Sequence, residues 1–354
     1  MRRFIIAILA VMAVSVGISA QNDSRATGRK MRVTGVAFYN LENLFDTINN
    51  NGKYDLEFSP AGARQWDGRK YWLKINNLAR AISEMKTRHT PLGPAIIGVS
   101  EIENRSVLMD LVKADAIKDW DLKVVHHDSP DRRGVDVGLL YNPKLFKVLG
   151  VSNHTLRIAD QPDFRTRDQM CVLGLLGGQK VAVIVNHWPS RLGGAERSSY
   201  LREAAASLSK EIADSLWRID PNTGVIIMGD LNDDPFDKSC AKVLNARKEK
   251  KEVTAPHGFY NPFWGILDKG IGSLAYKGGW NLFDQIIISG NLLGNPANPH
   301  ALKFSDAKVL NFNFLRDTEG NRRGYPLRTY SAGAFLGGYS DHFPTEIFFI
   351  QEVR

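Results

Sequence analysis

The sequence predicts an α/β fold of stacked sheets flanked by helices, and three observations carry that expectation. From residue 31 onward, short runs rich in Val, Ile and Phe are separated by Gly, Pro, Asn and Asp clusters, the punctuation of many strands. Two stretches repeat apolar residues at three- and four-residue spacing, as amphipathic helices do. The two kinds of segment alternate irregularly, which disfavours a regular parallel barrel.

In chain order, Arg2 and Arg3 precede the apolar stretch Phe4 to Val14, and small residues follow to Ala20. This reads as a signal peptide over residues 1–20, removed after Ala20, because the stretch is at the lower limit for a membrane span. A flexible segment is expected over 21–30 and a single domain over 31–354. Strands are expected over 33–40, 95–101, 136–141, 171–176, 181–187, 225–230, 282–289 and 345–350. Leu176-Gly177-Gly178-Gln179 reads as a hairpin turn, since paired glycines supply positive φ. A helix over 68–85 turns Trp72, Ile75, Leu78, Ala79, Ile82 and Met85 inward, and a second over 198–217 turns Leu201, Ala205, Leu208, Ile212 and Leu216 inward. Two cysteines, Cys171 and Cys240, leave one disulfide and two buried thiols equally open. Lys and Arg outnumber Asp and Glu by 46 to 38, a charge of +8 that favours polyanionic partners without bearing on fold. Adjacent His126 and His127 read as structural or solvated.

Period-two reading singles out polar residues that continue the apolar side of a strand. Val36 and Phe38 lead to Asn40, Ile97 and Val99 to Glu101, Val183 and Val185 to His187, and Ile226 and Met228 to Asp230, while Asp284 lies among Leu282, Ile286 and Ile288. Each alone could mark where a strand meets water. Five together point to one shared polar site, because a charged group at a core edge is costly unless paired or metal-bound. Clustered Glu101, Asp230, Asp284 and Asp341 would repel, which calls for a cation or carboxylate–histidine pairs. Oxygen donors suit Mg²⁺, Mn²⁺ or Ca²⁺. Zinc is disfavoured, since the cysteines lack neighbouring partners and no His-Glu-x-x-His occurs. Neither a phosphate-binding glycine loop nor a Gly-x-Ser-x-Gly elbow is present, so kinase-like and serine-hydrolase chemistry lose support.

Six segments, Phe38–Leu44, Val99–Glu101, Val185–Pro189, Met228–Asp233, Phe283–Ile286 and Ser340–Pro344, occur in an order that resembles the endonuclease/exonuclease/phosphatase superfamily, of the deoxyribonuclease-like kind. The resemblance covers nearly all of the chain after residue 30. It implies a four-layered α/β sandwich of two packed, mainly antiparallel sheets flanked by helices. It also implies that Glu101 holds a divalent metal, Mg²⁺ or else Mn²⁺ or Ca²⁺, with Asn40, Glu42 and Asp341 close by. Asp230 and Asn232 would orient the attacking water, Asp284 would pair with His342, and His187 would act as a general acid or phosphate ligand. Asp136 is the expected carboxylate that orients His187. Arg133, Arg167 and Arg191 are candidate phosphate-binding residues. Trp280 could stack on a base or simply pack, whereas Trp66, Tyr71 and Trp72 are expected in helix packing.

The function expected is an exported, metal-dependent phosphodiesterase, an endonuclease acting on DNA or RNA as a periplasmic or extracellular monomer without a stable protein partner. Sphingomyelinase-like or inositol-phosphate hydrolysis is the alternative, but residues 312–335 read as a basic loop and not as a membrane-seeking aromatic one. A binding module that lost its chemistry is opposed by the intact carboxylate and histidine set.

Overall fold

The computed structural model describes residues 29–48, 54–276 and 278–353; the expected signal peptide lies outside them, and the first strand begins at Lys30. In chain order the strands of the two main sheets are β1 Lys30–Leu44, β2 Ile96–Ile102, β3 Lys123–His126, β4 Asp136–Tyr141, β5 Phe146–His154, β6 Gln169–Leu176, β7 Gln179–His187, β8 Gly224–Asp230, β9 Ala246–Arg247, β10 Phe259–Tyr260, β11 Asp284–Ser289, β12 Leu293–Asn295, β13 Asn298–Val309 and β14 Thr345–Val353. The α-helices are α1 Gly68–Ser83, α2 Arg105–Val112, α3 Ser199–Ile219 and α4 Pro262–Leu267. One sheet runs β12-β13-β14-β1-β2-β4-β3 and the other β5-β6-β7-β8-β11-β10-β9. Most neighbours are antiparallel. The exceptions are β1/β2, β7/β8 and the short pair β9/β10. A parallel pair needs a crossover, and α1 and α3 lie in the crossovers of the first two.

Alternation sorts each central strand into two faces. Val36, Phe38, Val183, Val185, Ile226, Met228, Ile286 and Ile347 pack together between the sheets. Ala37, Tyr39, Ile97 and Val99 face outward, under α1 and α2. Ala182, Ile184, Val225 and Ile227 face outward under α3. Four layers result. Gly98 lets the sheets approach, since a Cβ there would collide with Met228 Sδ.

The helices depart from expectation in their facing. α1, whose first turn is capped by Asp67 accepting from the Lys70 amide at 2.9 Å, buries Tyr71 and Lys74 beside Ile75, Leu78, Ala79 and Ile82, while Trp72 is half exposed. In α3 the buried face carries Arg202, Ala205, Ala206, Ser209, Ile212, Ala213 and Trp217, with Leu201, Leu208 and Leu216 at its margin. Arg202 displaces the leucine stripe because Asp233 takes its Nε at 2.6 Å. Cys171 and Cys240 are free buried thiols.

A buried carboxylate outside the candidate site, Glu346 on β14, has no hydrogen-bond partner on either oxygen among the described residues. It fills the space left by the missing side chain of Gly35. Burial pushes its carboxyl up to about 8. A group whose folded pKa is raised stabilises fully below its unfolded value, near 4.5, and loses that contribution as pH rises through about 8. Stability should therefore fall by on the order of 3–4 kcal/mol between pH 5 and pH 8.5 through this group alone. Glu346→Met should remove that slope and raise the midpoint at pH 8.5 more than at pH 5; chemical denaturation at the two pH values measures it.

Candidate active site

The carboxyl ends of the central parallel strands open at one edge of the sandwich. His187 and Asp230 end β7 and β8 in direct register, and Asp284 begins β11 opposite Asp230. Asn40, on the inter-sheet side of β1, donates from Nδ2 to Asp230 Oδ2 at 3.0 Å and so joins the two sheets. Its Oδ1 accepts from the Glu42 amide at 2.8 Å.

Glu101 arrives by a different route from the one its alternation implied. Ile97 and Val99 face the helices, so unbroken alternation would send Glu101 outward with them. Instead the β2/β4 register shifts between Ser100 and Ile102, and Glu101 adopts φ 58°. Such a bulge re-aims a side chain. Glu101 Oε2 then accepts from the Asn43 amide at 3.0 Å, and Oε1 lies 3.8 Å from His187 Nε2. Glu42, Asn43 and Asn232 also have positive φ, 47°, 51° and 50°. Four such non-glycine residues at one edge mark backbone strain concentrated there.

The two histidines differ in charge. His342 Nδ1 lies 2.6 Å from Asp284 Oδ2, and its Nε2 faces Asp230 and Asp341, each at 3.9 Å. Burial opposes its protonation, but Asp284 and then Asp230 hold its pKa well above the usual value, so it is an imidazolium at neutral pH. Asp284 Oδ2 is further held by the Ser273 hydroxyl. His187 Nε2 lies 3.7 Å from Asp230 Oδ2. Burial, with the Arg167 and Arg133 charges, pushes its pKa well down, leaving it neutral.

The carboxylates also divide. Burial would lift Glu101, but Arg133, His342, Arg167 and the Asn43 amide hold it below its usual range. Burial, with Asp284 and Glu101 nearby, lifts Asp230 to about 6 against the pull of His342. Burial and the Glu42 charge lift Asp341 to about 6. This surplus of buried negative charge is what a divalent cation relieves, and the donors are oxygen-rich; the acidic residues can therefore form a divalent-metal site. Among the described residues, Asp230, Asp284 and His342 bring ligand atoms within 4.8 Å of one another. Glu42 and Asp341 are bridged instead by Arg328, at 3.3 and 2.7 Å.

Several expected roles need correction. Asp136 does not orient His187, whose Nδ1 has no hydrogen-bond partner. Its carboxylate takes His126 Nε2 at 3.1 Å and both the amide and hydroxyl of Ser129, because β3 pairs with β4 and sets His126 beside it. His126, Asp128 and Asp136 form a second group with metal-compatible spacing, but Asp136 is already satisfied within it. Arg167 is buried and spends its donors on the carbonyls of His187 and Trp188, at 3.0 and 2.6 Å, and on Asp131 at 3.2 Å. Arg191 is occupied by the Asn232 carbonyl at 2.8 Å and Asp237 at 2.6 Å, with its guanidinium over Phe283. Neither is free for phosphate. Arg133, half exposed and 3.7 Å from Glu101, still faces the carboxylates. Trp280 stacks on Phe343 and joins the outer core. Asn232 donates its Nδ2 to the Trp188 carbonyl at 2.9 Å and its amide to Asp230 at 3.0 Å.

Two cations were not foreseen as site residues. Arg328 stands between Glu42 and Asp341, and Lys74 reaches Glu42 from beneath at 3.5 Å while donating to Thr329 Oγ1 and the Tyr339 carbonyl at 2.5 and 2.6 Å. Lys74 carried a signal, since it lies one turn before Leu78 in the apolar stripe of α1. Arg328 carried none beyond its place in a basic loop.

With this geometry in view, the sequence matches the endonuclease/exonuclease/phosphatase family over residues 35–351, and the chain belongs to that family, one of phosphoesterases. Among solved structures, TDP2 from Caenorhabditis elegans is similar at 16% identity and a TM-score of 0.53, covering 90% of this chain and 74% of that one. A family member from Bacteroides thetaiotaomicron is similar at 16% identity and a TM-score of 0.52, covering 92% and 97%. The mannosyl-6-phosphatase Bt3783 from the same organism is similar at 17% identity and a TM-score of 0.51, covering 89% and 99%. At these identities the likeness establishes the shared sandwich fold. No curated protein matches the sequence.

Two outcomes follow from the pairings. Asp284→Asn should lower the His342 pKa, because the neighbouring anion that holds the proton is gone; ring-proton NMR titration reads this directly. Asp136→Asn should speed exchange of the Ser129 amide and leave the His187 ring signals in place, whereas a shifted His187 would restore the expected pairing.

Proposed function

We propose that the protein is an exported, divalent-metal-dependent phosphodiesterase that hydrolyses DNA or RNA internally by in-line attack of water. The observation that carries this reading is the arrangement of His342, paired through Nδ1 with Asp284 at 2.6 Å and facing Asp230 with Nε2 at 3.9 Å, across from Glu101 and His187 at 3.8 Å from one another. Glu101 would hold Mg²⁺, or Mn²⁺ or Ca²⁺ in its place, with Glu42 and Asp341 near it. When bound, the metal supplies Lewis-acid stabilisation of phosphoryl oxygen charge.

The chain's own residues supply the rest. Asp230, lifted to about 6, is ionised at neutral pH yet basic enough to accept a proton from water. Asn40 and the Asn232 amide fix its two oxygens, at 3.0 Å each. His342, held by Asp284, presents Nε2–H to the negative charge that grows on the phosphoryl oxygens. His187 is neutral and serves as a hydrogen-bonding partner to the phosphate, a narrower role than charged acid. Arg133, exposed beside Glu101, is placed to meet an incoming phosphate. The net charge of +8, which loses two positive charges and stays basic at +6 once Arg2 and Arg3 leave with the leader, favours a polyanion over a neutral headgroup. Export rests on the leader-like segment over residues 1–20 alone, and the protein acts as a monomer in this reading.

Chelation should abolish hydrolysis of duplex DNA or RNA, and Glu101→Gln should weaken Mg²⁺ binding by calorimetry as well as lower the rate by roughly 10²-fold or more. Full activity in excess chelator would overturn the metal mechanism. The rate should fall as pH drops through about 6, where Asp230 takes up a proton and can no longer act as a base. A flat profile from pH 5 to pH 7 would remove Asp230 from that role. Turnover of sphingomyelin or inositol phosphates with none on nucleic acid would move the assignment to the alternative within the family.

A further inference from the structure

A polar cavity of about 300 Å³ adjoins the carboxylate cluster, lined by Glu42, Asn43, Phe58, Arg64, Arg328 and the backbone and side chains of residues 329–333. It is continuous with the candidate site through shared residues. Asn43 gives its amide to Glu101, and Glu42 meets Arg328, which in turn meets Asp341. We propose that this cavity binds a second phosphate of the substrate, next to the one that is cleaved. The proposal rests on the reading of the adjoining cluster as the hydrolytic centre.

Charge points to an anion. Among the described residues the single carboxylate lining the cavity, Glu42, is already engaged on both oxygens: Oε1 by Arg328 at 3.3 Å, and Oε2 by the Thr329 amide at 2.7 Å with Lys74 at 3.5 Å. Its charge is thus offset from below and from the side. Arg64 forms the opposite wall. Its guanidinium lies over Tyr330 and Phe58, with centroid distances of 5.0 and 5.8 Å, and its Nε meets Glu57 at 3.2 Å. Its two terminal nitrogens make no hydrogen bond with any described residue. A guanidinium held over aromatic rings, with its outer donors unspent among the described residues, is a pre-organised fork for phosphate. Ser331 adds a hydroxyl, set by the short hairpin Tyr330–Ser331 to Ala334–Phe335, whose turn residues Ala332 and Gly333 have φ 48° and 83°. The volume fits one phosphorylated ring and excludes a duplex.

The second phosphate could belong to the neighbouring nucleotide of a strand or to a bisphosphorylated sugar. Two substrate pairs separate these sources: a dinucleotide with and without a terminal phosphate, and a hexose bisphosphate against the monophosphate. In the wild-type enzyme the second phosphate should lower KM about tenfold in one pair, the scale of one charge-assisted contact. Arg64→Met should reduce that advantage to below about threefold and Arg64→Lys should keep part of it, since a point charge replaces a fork. Ser331→Asp, which places an anion on the wall at a turn-flanking position, should also erase the advantage and guards against a misfolded Arg64 variant. An advantage that survives both Arg64→Met and Ser331→Asp, or one absent from both pairs in an enzyme that does cleave them, overturns the cavity assignment alone. An enzyme that cleaves neither these nor a simple diester overturns the hydrolytic reading, and the cavity proposal with it.

Discussion

Negative charge crowded into a desolvated edge is the constraint around which the rest of the molecule is arranged. Asp230, Asp284, Glu101 and Asp341 converge where the two sheets end, and such groups repel at short range with little water to screen them. Each is therefore held by a specific donor: Asn40 on Asp230, Asn43 on Glu101, Ser273 and His342 on Asp284, and Arg328 on Asp341. The donors come from β1, from the loop that holds Ser273 and from the segment before β14. An arrangement that costs stability at its centre is thus supported from three directions.

Topology makes the convergence possible. Parallel pairs place equivalent ends side by side, so β1 with β2 and β7 with β8 present their carboxyl ends at one edge. A sheet with only antiparallel neighbours would alternate starts and ends. The crossovers that parallel pairing requires carry α1 and α3, which cover the outer faces. One of them also contributes to the site, because Lys74 of α1 passes beneath β1 to reach Glu42.

Legibility in the sequence followed the same division. Asn40, His187, Asp230 and Asp284 stand on regular strands, and simple alternation places all four on the inter-sheet face with Phe38, Val185, Met228 and Ile286. Glu101 was identified by a strand reading that would have pointed it at the helices; its actual direction comes from a bulge and a positive φ, neither of which alternation encodes. The short strand pairs and hairpins between residues 246 and 335 were illegible, since two- and three-residue strands carry no period. The arginines were hardest. A guanidinium reaches in any direction, so nearness to a motif could not separate Arg167 and Arg191, committed to carbonyls and carboxylates, from Arg133 and Arg328. Asp136 failed for a related reason, because His126 became its partner through strand pairing between segments whose register no local motif reveals.

The histidines show how environment divides labour between chemically identical groups. Both are buried, and burial alone would neutralise both. His342 stays charged because Asp284 touches one nitrogen and Asp230 and Asp341 face the other. His187 loses its charge because burial disfavours it and Arg167, which donates to the His187 carbonyl, adds a fixed cation close by, while Glu101 and Asp230 remain beyond hydrogen-bond distance. The buried arginine thus orders the end of β7 and reinforces the effect of burial on the imidazole. A cation and a neutral ring on two sides of one carboxylate give the edge a direction, with positive charge offered from the His342 side and a hydrogen-bonding nitrogen from the His187 side. In the proposed reaction, that asymmetry would set which way a phosphoryl group turns its negative oxygens toward Asp230.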